Sequence, residues 1–346
     1  MSKVRNRGLA LLAGGVIIAG FGMSATQADA ACASMRKINI GVSVSPPNVV
    51  HTTPYVAKEL GLFAKHCIDA NIIQFDGGGS PAAKAAAAQG TALVSVQPIA
   101  IGHGVKVRQI WTLAPRMPQA YVVDKDVKTA ADLKGKRLSA SGGGVGSFNW
   151  LMGREVLKSA GLKPEDAKFI AAATAARLPG LVAGQIDGVA LHPEDVYLAK
   201  QKNEGLHPIV QLADLLPKYV FNAYGASTAW IEKDRPLIVD AVAAMIEANR
   251  TIYREKDKVI PIIVKATGKP KEAVEYAWEA NTKNCVWSVN DGFSKEREQW
   301  TIDNDVANGF IQPDKKPTVE RVFDEPLSAE ALKKVGGRVK IGKCDL

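Results

Sequence analysis

The chain has 346 residues, 47% of them hydrophobic, and a formal net charge of +9 at pH 7. Its Lys and Arg residues are mixed with acids and form no basic block of five or more, so nucleic-acid binding is not predicted. A modest positive charge spread in this way is compatible with the attraction of an anionic ligand.

The first thirty residues have the three parts of a secretory signal peptide. Lys3, Arg5 and Arg7 form a positive segment, residues 9–23 are almost wholly apolar or glycine, and Ala28-Asp29-Ala30 fits a small-x-small cleavage pattern. The apolar run is shorter than the roughly 20 residues that cross a bilayer as a stable helix. We therefore predict Sec-dependent export, cleavage after Ala30 and a location in the periplasm.

Cys32 lies close enough to the cleavage point to raise the question of lipidation. However, Asp29 stands where a lipoprotein signal normally has an aliphatic residue, which favours a soluble periplasmic protein. The sequence has no second apolar stretch long enough to span a membrane.

The mature chain of about 315 residues exceeds what one hydrophobic core usually supports, so two lobes are predicted. Strand and helix signals alternate at its start, and this order is typical of the α/β class, with parallel sheets flanked by helices. Thr53 is predicted to cap the first helix, with Pro54 at its first position. The strands predicted here are 37–44, 68–75, 92–96 and 110–113, with an alanine-rich helix between Ser80 and Gly90.

The same alternation restarts after Pro118. A helix that follows Ser147 carries Phe148, Met152 and Val156 at four-residue spacing on one face. The strands predicted in this part are 121–123, 137–141, 169–172 and 188–191. A return segment near 223–231 precedes a mainly helical remainder, whose clearest helices are 236–254, 271–283 and 294–308. We therefore predict lobe I from residues 31–118 and 227–346, and lobe II from residues 119–226.

All four cysteines remain after cleavage and would meet an oxidising compartment. None is spaced as Cys-x-x-Cys and the five histidines are scattered, so disulfides are favoured over a metal site, and no cofactor is predicted. Cys32 precedes the first strand and Cys67 the second, and the amino ends of parallel neighbours lie together. We predict the pair Cys32–Cys67 and, by elimination, Cys285–Cys344.

Two glycine-rich turns, Gly77 to Ser80 and Gly142 to Ser147, each lie between a strand and a helix N-terminus. Helix N-termini expose backbone N–H groups, and glycine allows close approach, so these turns could hold a carboxylate, sulfonate or phosphate. The alternative is that they are ordinary tight turns in which Ser80 and Ser147 only cap helices. Neither turn has the spacing of a dinucleotide-binding or Walker motif.

Further candidates follow other predicted strands. Ser43, Ser45 and Asn48 come at the end of the first strand, where they either donate hydrogen bonds to a ligand or stabilise the adjacent Pro-Pro turn. Gln97 and His192 each follow a strand and precede a proline. A histidine in such a loop is either a ligand contact or a structural residue.

Thr174 is a helix cap or a ligand contact, and Arg177 is either a two-pronged anion contact or an ordinary exposed helix residue. Trp150 lies off the apolar stripe of Phe148, so we favour Trp150 as a wall of the site and Phe148 as a core residue. We predict no catalytic residue. The predicted ligand-binding residues are Ser43, Ser45, Asn48, Gly78, Gly79, Ser80, Gln97, Gly144, Gly146, Ser147, Trp150, Thr174 and His192.

Three landmarks carry a resemblance to a known family. They are PYVAKELGLFAK at 54–65, ADLKGK at 131–136 followed by the 141–147 turn, and AGQIDG at 183–188 followed by Pro193. In this order they resemble the periplasmic binding proteins for sulfonates, nitrate and thiamine precursors, the NMT1/THI5-like family. The resemblance covers essentially the whole mature chain, with one departure, since the run after Gly90 lacks the acidic residue that the family usually has there.

The resemblance implies a type II periplasmic binding protein, with two α/β lobes joined by two crossing segments and a ligand in the cleft between them. It also implies a monomer that hands its ligand to an ABC permease with its ATPase and performs no reaction. Ligands of open α/β sheets bind beyond the carboxyl ends of the strands, which independently indicates the same location.

We therefore expect the periplasmic substrate-binding component of an ABC importer for a small organic anion, either a sulfonate or a carboxylate, with aromatic acids included. A thiamine-precursor pyrimidine is the alternative ligand. A secreted enzyme on the same fold is the alternative class, against which stands the absence of Gly-x-Ser-x-Gly and His-Glu-x-x-His motifs.

Overall fold

The strands of the protein form two groups. Strands from residues 36–114 and 222–227 form one group, and strands from residues 120–211 form the other. The computed structural model describes residues 32–75, 90–141, 144 and 146–346, of which Ser34–Leu346 fall in one unit. The predicted signal peptide and the turn and helix from Gly77 lie outside the described residues. The strands are β1 (Arg36–Val42), β2 (Ile68–Gln74), β3 (Val94–Ser95), β4 (Val107–Ala114), β5 (Ala120–Val123), β6 (Arg137–Ala140), β7 (Lys168–Ala171), β8 (Gly188–Leu191), β9 (His207–Gln211) and β10 (Asn222–Ser227).

Helices cover the sheets and make up most of the C-terminal third. Short 3-10 turns occur at Val49–His51, Ala130–Leu133, Pro164–Asp166, Thr174–Ala176 and Pro313–Lys315. The described α-helices are α1 (Thr53–Glu59), α2 (Leu62–Lys65), α3 (Pro98–Gly102), α4 (Phe148–Ser159), α5 (Arg177–Val182), α6 (Pro193–Lys202), α7 (Leu212–Leu215), α8 (Thr228–Lys233), α9 (Arg235–Arg254), α10 (Lys256–Thr267), α11 (Lys271–Lys283), α12 (Lys295–Ala307), α13 (Val319–Val322) and α14 (Glu325–Lys334).

The first sheet consists of a two-stranded part, β1-β2, and a three-stranded part, β3-β10-β4, which lie side by side. Strands β1 and β2 are parallel, with Arg36 opposite Ile68. A parallel bridge between Ile40 and Leu93 joins β1 to the segment that leads into β3. Strand β10 lies antiparallel to both β3 and β4. Four strands therefore point in one direction and β10 in the other.

The second sheet has the equivalent order, β7-β6-β8-β5-β9. Strand β6 is parallel to β7 and β8, whereas β5 is antiparallel to β8 and β9. The odd strand is again the first one after a crossing between the two sheets, since β5 follows the outward crossing and β10 the return. This confirms the predicted α/β class, with two mostly parallel sheets flanked by helices.

This topology gathers loops at one edge of each sheet. The carboxyl ends of β1, β3, β6 and β8 lie at the same edges as the amino ends of the antiparallel strands β10 and β5. Residues directly after the parallel strands therefore meet residues directly before the antiparallel ones. The predicted boundary between residues 226 and 227 falls inside β10, and the extent of the two lobes stays a prediction.

Helix α9 forms the centre of the large hydrophobic core. Asp234 caps it, because the carboxylate Oδ1 accepts a hydrogen bond from Leu237 N at 3.1 Å. Ala241, Ile246 and Ile252 are fully buried. A helix this extensively buried derives its stability from packing on all sides rather than from intrinsic propensity. No helix among the described residues is both long and apolar enough to cross a membrane.

The structure confirms the predicted disulfide between Cys285 and Cys344, which closes a sequence separation of 59 residues. Cys32 and Cys67 are disulfide-bonded as well. The bond at Cys344 fixes the C-terminal segment against the end of α11.

Several element ends differ from the prediction. Thr52, not Thr53, is the N-cap of α1, so Pro54 occupies the second helical position, where its missing N–H still costs no hydrogen bond. Helix α10 was not among the named helices because Pro261 interrupts its sequence pattern. The surrounding helices override this local signal by burying Val259, Ile260 and Ile263.

Candidate functional site

A cavity of about 150 Å³ lies where the strand edges of the two sheets meet. Ser43 and Gln97 approach it from the first sheet, and Ser141 and His192 from the second. This is the location that sheet topology indicates for a ligand. Its described lining consists of Ser43, Val44, His51, Ser95, Gln97, Ile99, Gln119, Ser141, Gly146, Ser147, Phe148, Leu151, Arg177, His192, Tyr219, Phe221 and Asn222.

Two serines organise the turn between β6 and α4. Ser147 Oγ accepts a hydrogen bond from Ser141 N at 2.9 Å, and Ser141 Oγ accepts one from Asn149 N at 3.2 Å. Ser147 is the N-cap residue by position but makes no side-chain cap hydrogen bond. Ser147 is therefore confirmed as the N-cap residue, but its hydroxyl closes the turn and Ser141 satisfies the helix N–H instead.

Arg177 is the charged residue of the described cavity lining. Its side chain is 9% exposed, and Nη2 donates to Ser141 Oγ at 3.4 Å. With the Asn149 amide turned so that its nitrogen donates to Ala190 O, Asn149 Oδ1 accepts from Arg177 Nε at 2.8 Å and Nη1 at 3.3 Å. These contacts hold the guanidinium at the cavity, and a guanidinium can bind a carboxylate or sulfonate through two N–H donors at once.

Two histidines and a phenylalanine pack together at the cavity wall. The ring centroids of His51, His192 and Phe221 are 5.6–5.7 Å apart. Burial and, secondarily, the nearby charge of Arg177 lower the pKa of His51 to about 3. Burial, followed by His51 and Arg177, lowers the pKa of His192 well below its ordinary value. Both imidazoles are therefore neutral at pH 7, so they add no charge beside the guanidinium.

His192 is hydrogen-bonded to a neighbouring amide. Gln119 Nε2 lies 3.1 Å from His192 Nε2, and which of the two donates depends on the ring tautomer. His192 Nδ1 has no hydrogen-bond partner among the described residues. With the ring proton on Nδ1, His192 offers a neutral N–H donor in the same lining as Arg177.

Amide groups line the side of the cavity nearest the first sheet. Gln97 Nε2 donates to Phe221 O at 2.7 Å. Gln97 Oε1 and Asn222 Oδ1 are buried and have no partner among the described residues. A buried oxygen without a partner costs about 1–3 kcal/mol, so these atoms are suited to accept hydrogen bonds from a ligand.

A buried carboxyl lies behind the histidines. Glu194 Oε1 accepts hydrogen bonds from Val49 N at 3.0 Å and Asn48 Nδ2 at 3.1 Å. Burial, followed by the charge of Asp195, raises the pKa of Glu194 to about 7. Asp195 in turn pairs with Lys269. These contacts attach the start of α6 to the 3-10 turn that carries His51, so they position the cavity wall.

Five of the predicted binding residues line the cavity. They are Ser43, Gln97, Gly146, Ser147 and His192. The structure therefore brings together candidates from four different loops. Gly78, Gly79 and Ser80 lie outside the described residues.

Other candidates lie elsewhere. Ser45 Oγ donates to Gln74 Oε1 at 2.9 Å, which matches a role in the local turn. Asn48 supports Glu194 as described. Gly144 has a φ of 69°, a left-handed conformation that favours glycine in this turn, and Thr174 lies in a 3-10 turn. None of these four belongs to the described cavity lining.

Phe148 and Trp150 both pack against the core, but Phe148 rather than Trp150 lines the described cavity. Phe148 lines the cavity and meets Phe221 with ring centroids 5.6 Å apart. Trp150 instead packs on Phe169 and Phe310. Two residues along an α-helix turn the side chain through about 200°, so only one of the pair can face the cavity. The four-residue spacing of apolar residues indicated which side of α4 is buried. It did not indicate that Phe148, the first of these residues, borders a cavity.

Lining residues in the crossings between the sheets were not predicted from the sequence. Gln119 immediately precedes β5, and Tyr219, Phe221 and Asn222 surround the start of β10. Their position in the chain could have indicated them, because the first strand after each crossing is antiparallel and starts at the cavity edge. His51 follows no comparable landmark. Among the described residues, no group of three His, Cys, Asp or Glu side chains is arranged to hold a metal ion.

Comparison with known proteins places these features in context. Residues 48–258 match the family model described as NMT1/THI5 like. A search of curated proteins gives no match. The alkanesulfonate-binding protein SsuA from Xanthomonas axonopodis pv. citri, with MOPS bound, has a similar structure, with a TM-score of 0.67 and 17% identity over 85% of this chain and all of that one.

Two further solved structures show the breadth of the fold. The periplasmic nitrate-binding protein NrtA from Synechocystis PCC 6803 gives a TM-score of 0.67 at 15% identity over 87% of this chain and 89% of that one. The desulfurization enzyme DszB gives a TM-score of 0.57 at 15% identity over 86% of this chain and 99% of that one. At these identities the likeness shows a shared two-lobed α/β fold.

Proposed function

The chain belongs to the NMT1/THI5-like family, and from this premise we propose that it is the substrate-binding component of an ABC importer for a small organic anion. The observation that carries the proposal is the placement of Arg177 in the cavity. Its guanidinium is the charge of a described lining whose histidines are neutral and whose other polar groups are hydroxyls and amides. A single fixed cation in a largely desolvated site favours a monoanion such as a carboxylate or a sulfonate.

Relatives of the same fold support an anionic ligand. Two proteins of similar structure are an alkanesulfonate-binding protein and a nitrate-binding protein. In this chain the apolar residues Phe148, Leu151 and Phe221 add an aromatic and aliphatic wall to the cavity, which suits an organic anion better than a fully hydrated inorganic one. A neutral pyrimidine, the alternative ligand, would make no ionic contact with the guanidinium.

The predicted export signal extends the proposal to location and partners. Cleavage after Ala30 would release the protein into the periplasm, where it would act as a monomer and deliver its ligand to an inner-membrane permease driven by an ATPase. The disulfide between Cys285 and Cys344 fits an oxidising compartment. N-terminal sequencing of the periplasmic form tests this, and a lipid-modified Cys32 at its start would contradict it.

We propose binding without reaction. The similar structure of DszB, which is named a desulfurization enzyme, makes an enzyme the alternative class. All four cysteines of this chain are disulfide-bonded, so none of them is available as a nucleophilic thiolate. Recovery of the bound ligand unchanged after prolonged incubation supports the binding role, and its conversion to a product would overturn it.

The binding experiment compares acids with neutral molecules on the wild type and three variants. Thermal shift followed by calorimetry would use carboxylates, sulfonates, nitrate and neutral pyrimidines. Arg177→Gln should weaken acid binding roughly 10- to 100-fold, because a hydrogen bond to a charged group contributes about 1.5–3 kcal/mol. Arg177→Lys should restore part of the loss because it keeps the charge.

The matched control is Arg235→Gln, since Arg235 pairs with Glu330 on the exposed surface. This variant should bind as the wild type does. Equal acid affinity in folded Arg177→Gln protein, or a wild type that binds only neutral pyrimidines, would overturn the proposal.

A further inference from the structure

Resting on the proposed function, we propose that the ligand is a single-ring acid with a hydrogen-bond donor opposite its acid group, such as a hydroxy- or amino-substituted aromatic carboxylate. The inference comes from the distribution of charge, apolar surface and unpartnered acceptor atoms around one cavity.

The size of the cavity matches one ring. The cavity measures about 150 Å³, and an engineered protein cavity of about the same volume binds one benzene molecule. A six-membered ring with small substituents fits such a space.

The acid end of the site is built on the second sheet. Arg177 supplies the charge and is held by Ser141 and Asn149. His192 Nδ1 has no partner among the described residues, and it donates when the neutral ring carries its proton on that atom. A carboxylate or sulfonate offers two or three acceptor oxygens, enough to use both donors at once.

The middle of the cavity is apolar and partly aromatic. Phe148 and Phe221 meet edge to face at 5.6 Å, and Ile99 and Leu151 extend the surface. Rings favour such edge and face contacts, so a flat ring suits this part of the site better than a flexible chain.

The opposite end, on the first sheet, presents acceptors. Gln97 Nε2 donates to Phe221 O at 2.7 Å. Turning this amide over would place Gln97 Oε1 against a carbonyl oxygen, so the orientation is fixed and Oε1 stays an acceptor. Asn222 Oδ1, next to Phe221 in sequence, also lacks a partner among the described residues. A ligand O–H or N–H would satisfy these oxygens, whereas a second acid group would be repelled.

The experiment measures affinities for benzoate, the three hydroxybenzoates, 4-aminobenzoate, terephthalate and phenol by calorimetry. At least one hydroxy- or aminobenzoate should bind roughly tenfold more tightly than benzoate, because it satisfies a buried acceptor. Terephthalate, with a second acid, and phenol, with no acid, should both bind more weakly than the best ligand by at least that factor.

Two variants test which residue produces the preference for a ligand with an added hydrogen-bond donor. In Gln97→Leu the affinity advantage of the hydroxy or amino group over benzoate should shrink to roughly threefold or less. Gln299→Leu is the matched control, because Gln299 is exposed and bonds only to Asp303 among the described side chains, and it should keep the full preference.

The wild-type ratio decides the inference even if Gln97→Leu fails to fold. Benzoate binding with no preference for any added donor would overturn this inference and leave the proposed function intact. An unchanged preference in folded Gln97→Leu would overturn the assignment of the donor to this residue. Failure of every acid to bind would contradict the proposed function as well.

Discussion

Ser141 and Ser147 together close the turn between β6 and α4, since Ser147 Oγ accepts from Ser141 N at 2.9 Å while Ser141 Oγ accepts from Asn149 N at 3.2 Å. Ser141 Oγ is also the acceptor of Arg177 Nη2. One hydroxyl therefore couples the start of a helix to the position of the proposed anion-binding guanidinium.

The first prediction follows from this coupling. Ser141→Ala should lower the free energy of unfolding by about 1 kcal/mol, the usual cost of losing a helix cap, and should also weaken acid binding because Arg177 loses a positioning contact. Urea unfolding and calorimetry measure the two effects. Ser159→Ala, which removes a hydroxyl bonded to Val156 O near the end of the same helix, should leave binding unchanged. An unaltered ligand affinity in Ser141→Ala would show that this turn does not contribute to binding.

The second prediction concerns pH. Glu298 is fully buried, and burial raises its pKa from an ordinary 4.5 to about 8. As pH rises through this interval the unfolded chain releases the proton while the folded chain keeps it, so the unfolded state binds fewer protons and stability falls. The contribution of Glu298 to the free energy of unfolding is fully present below pH 4.5 and is lost as pH passes 8.

Urea unfolding at several pH values across the interval from about 5 to about 8 tests this. Glu298→Gln should flatten the decline, since Gln does not ionise. Glu296→Gln on the same helix is the control, because Glu296 is exposed and pairs with Lys218, and its profile should follow that of the wild type. If the pH profiles of unfolding free energy are parallel for Glu298→Gln and the wild type, Glu298 does not keep its proton in the folded protein over this pH interval.

The third prediction concerns a contact between α4 and the end of α12. Arg154 donates to Asn308 O at 2.8 Å and to Asn308 Oδ1 at 3.1 Å, and its guanidinium lies over the rings of Trp150 and Phe310. This contact joins a helix of the predicted lobe II to a segment of the predicted lobe I. We expect it to stabilise the ligand-bound arrangement of the two.

Arg154→Ala should therefore speed ligand dissociation roughly tenfold, in keeping with about 1.5 kcal/mol for such charge-assisted and cation–π contacts. Stopped-flow displacement measures the rate. Lys158→Ala, which removes a longer 3.4 Å contact to Asn308 Oδ1, should change it less. Identical dissociation rates in wild type and Arg154→Ala would show that the contact has no part in ligand retention.

The fourth prediction concerns the C-terminal disulfide. Replacing Cys285 and Cys344 together by Ala should lower the free energy of unfolding by about 4 kcal/mol, since the bond closes a loop of 59 residues. Ligand affinity should not change, because the bond lies outside the described cavity lining. Urea unfolding of the double variant checks the first statement, and an unchanged midpoint would refute it.

Local sequence signals located the elements better than the site. Strand β8 and helix α11 have the predicted bounds, because the strand and helix patterns extend over the whole of each element. Ser43, Gln97 and His192 could be found because residues after parallel strands share one edge. His51 and Phe221 could not, because their contact joins segments that are far apart in the chain, which no local pattern encodes. The contacts of Arg177 likewise involve Ser141, at the end of the strand before α4, and Asn149, in the first turn of α4, which are both distant from Arg177 in the sequence.

The central claim is that the cavity binds an organic acid through Arg177. A crystal structure of the complex with the tightest acid from the binding screen tests it most directly. We predict the acid oxygens within hydrogen-bond distance of the Arg177 guanidinium and His192 Nδ1, with the ring packed against Phe148 and Phe221. An acid bound elsewhere, or bound in the cavity with its charged group directed away from Arg177, would contradict the claim.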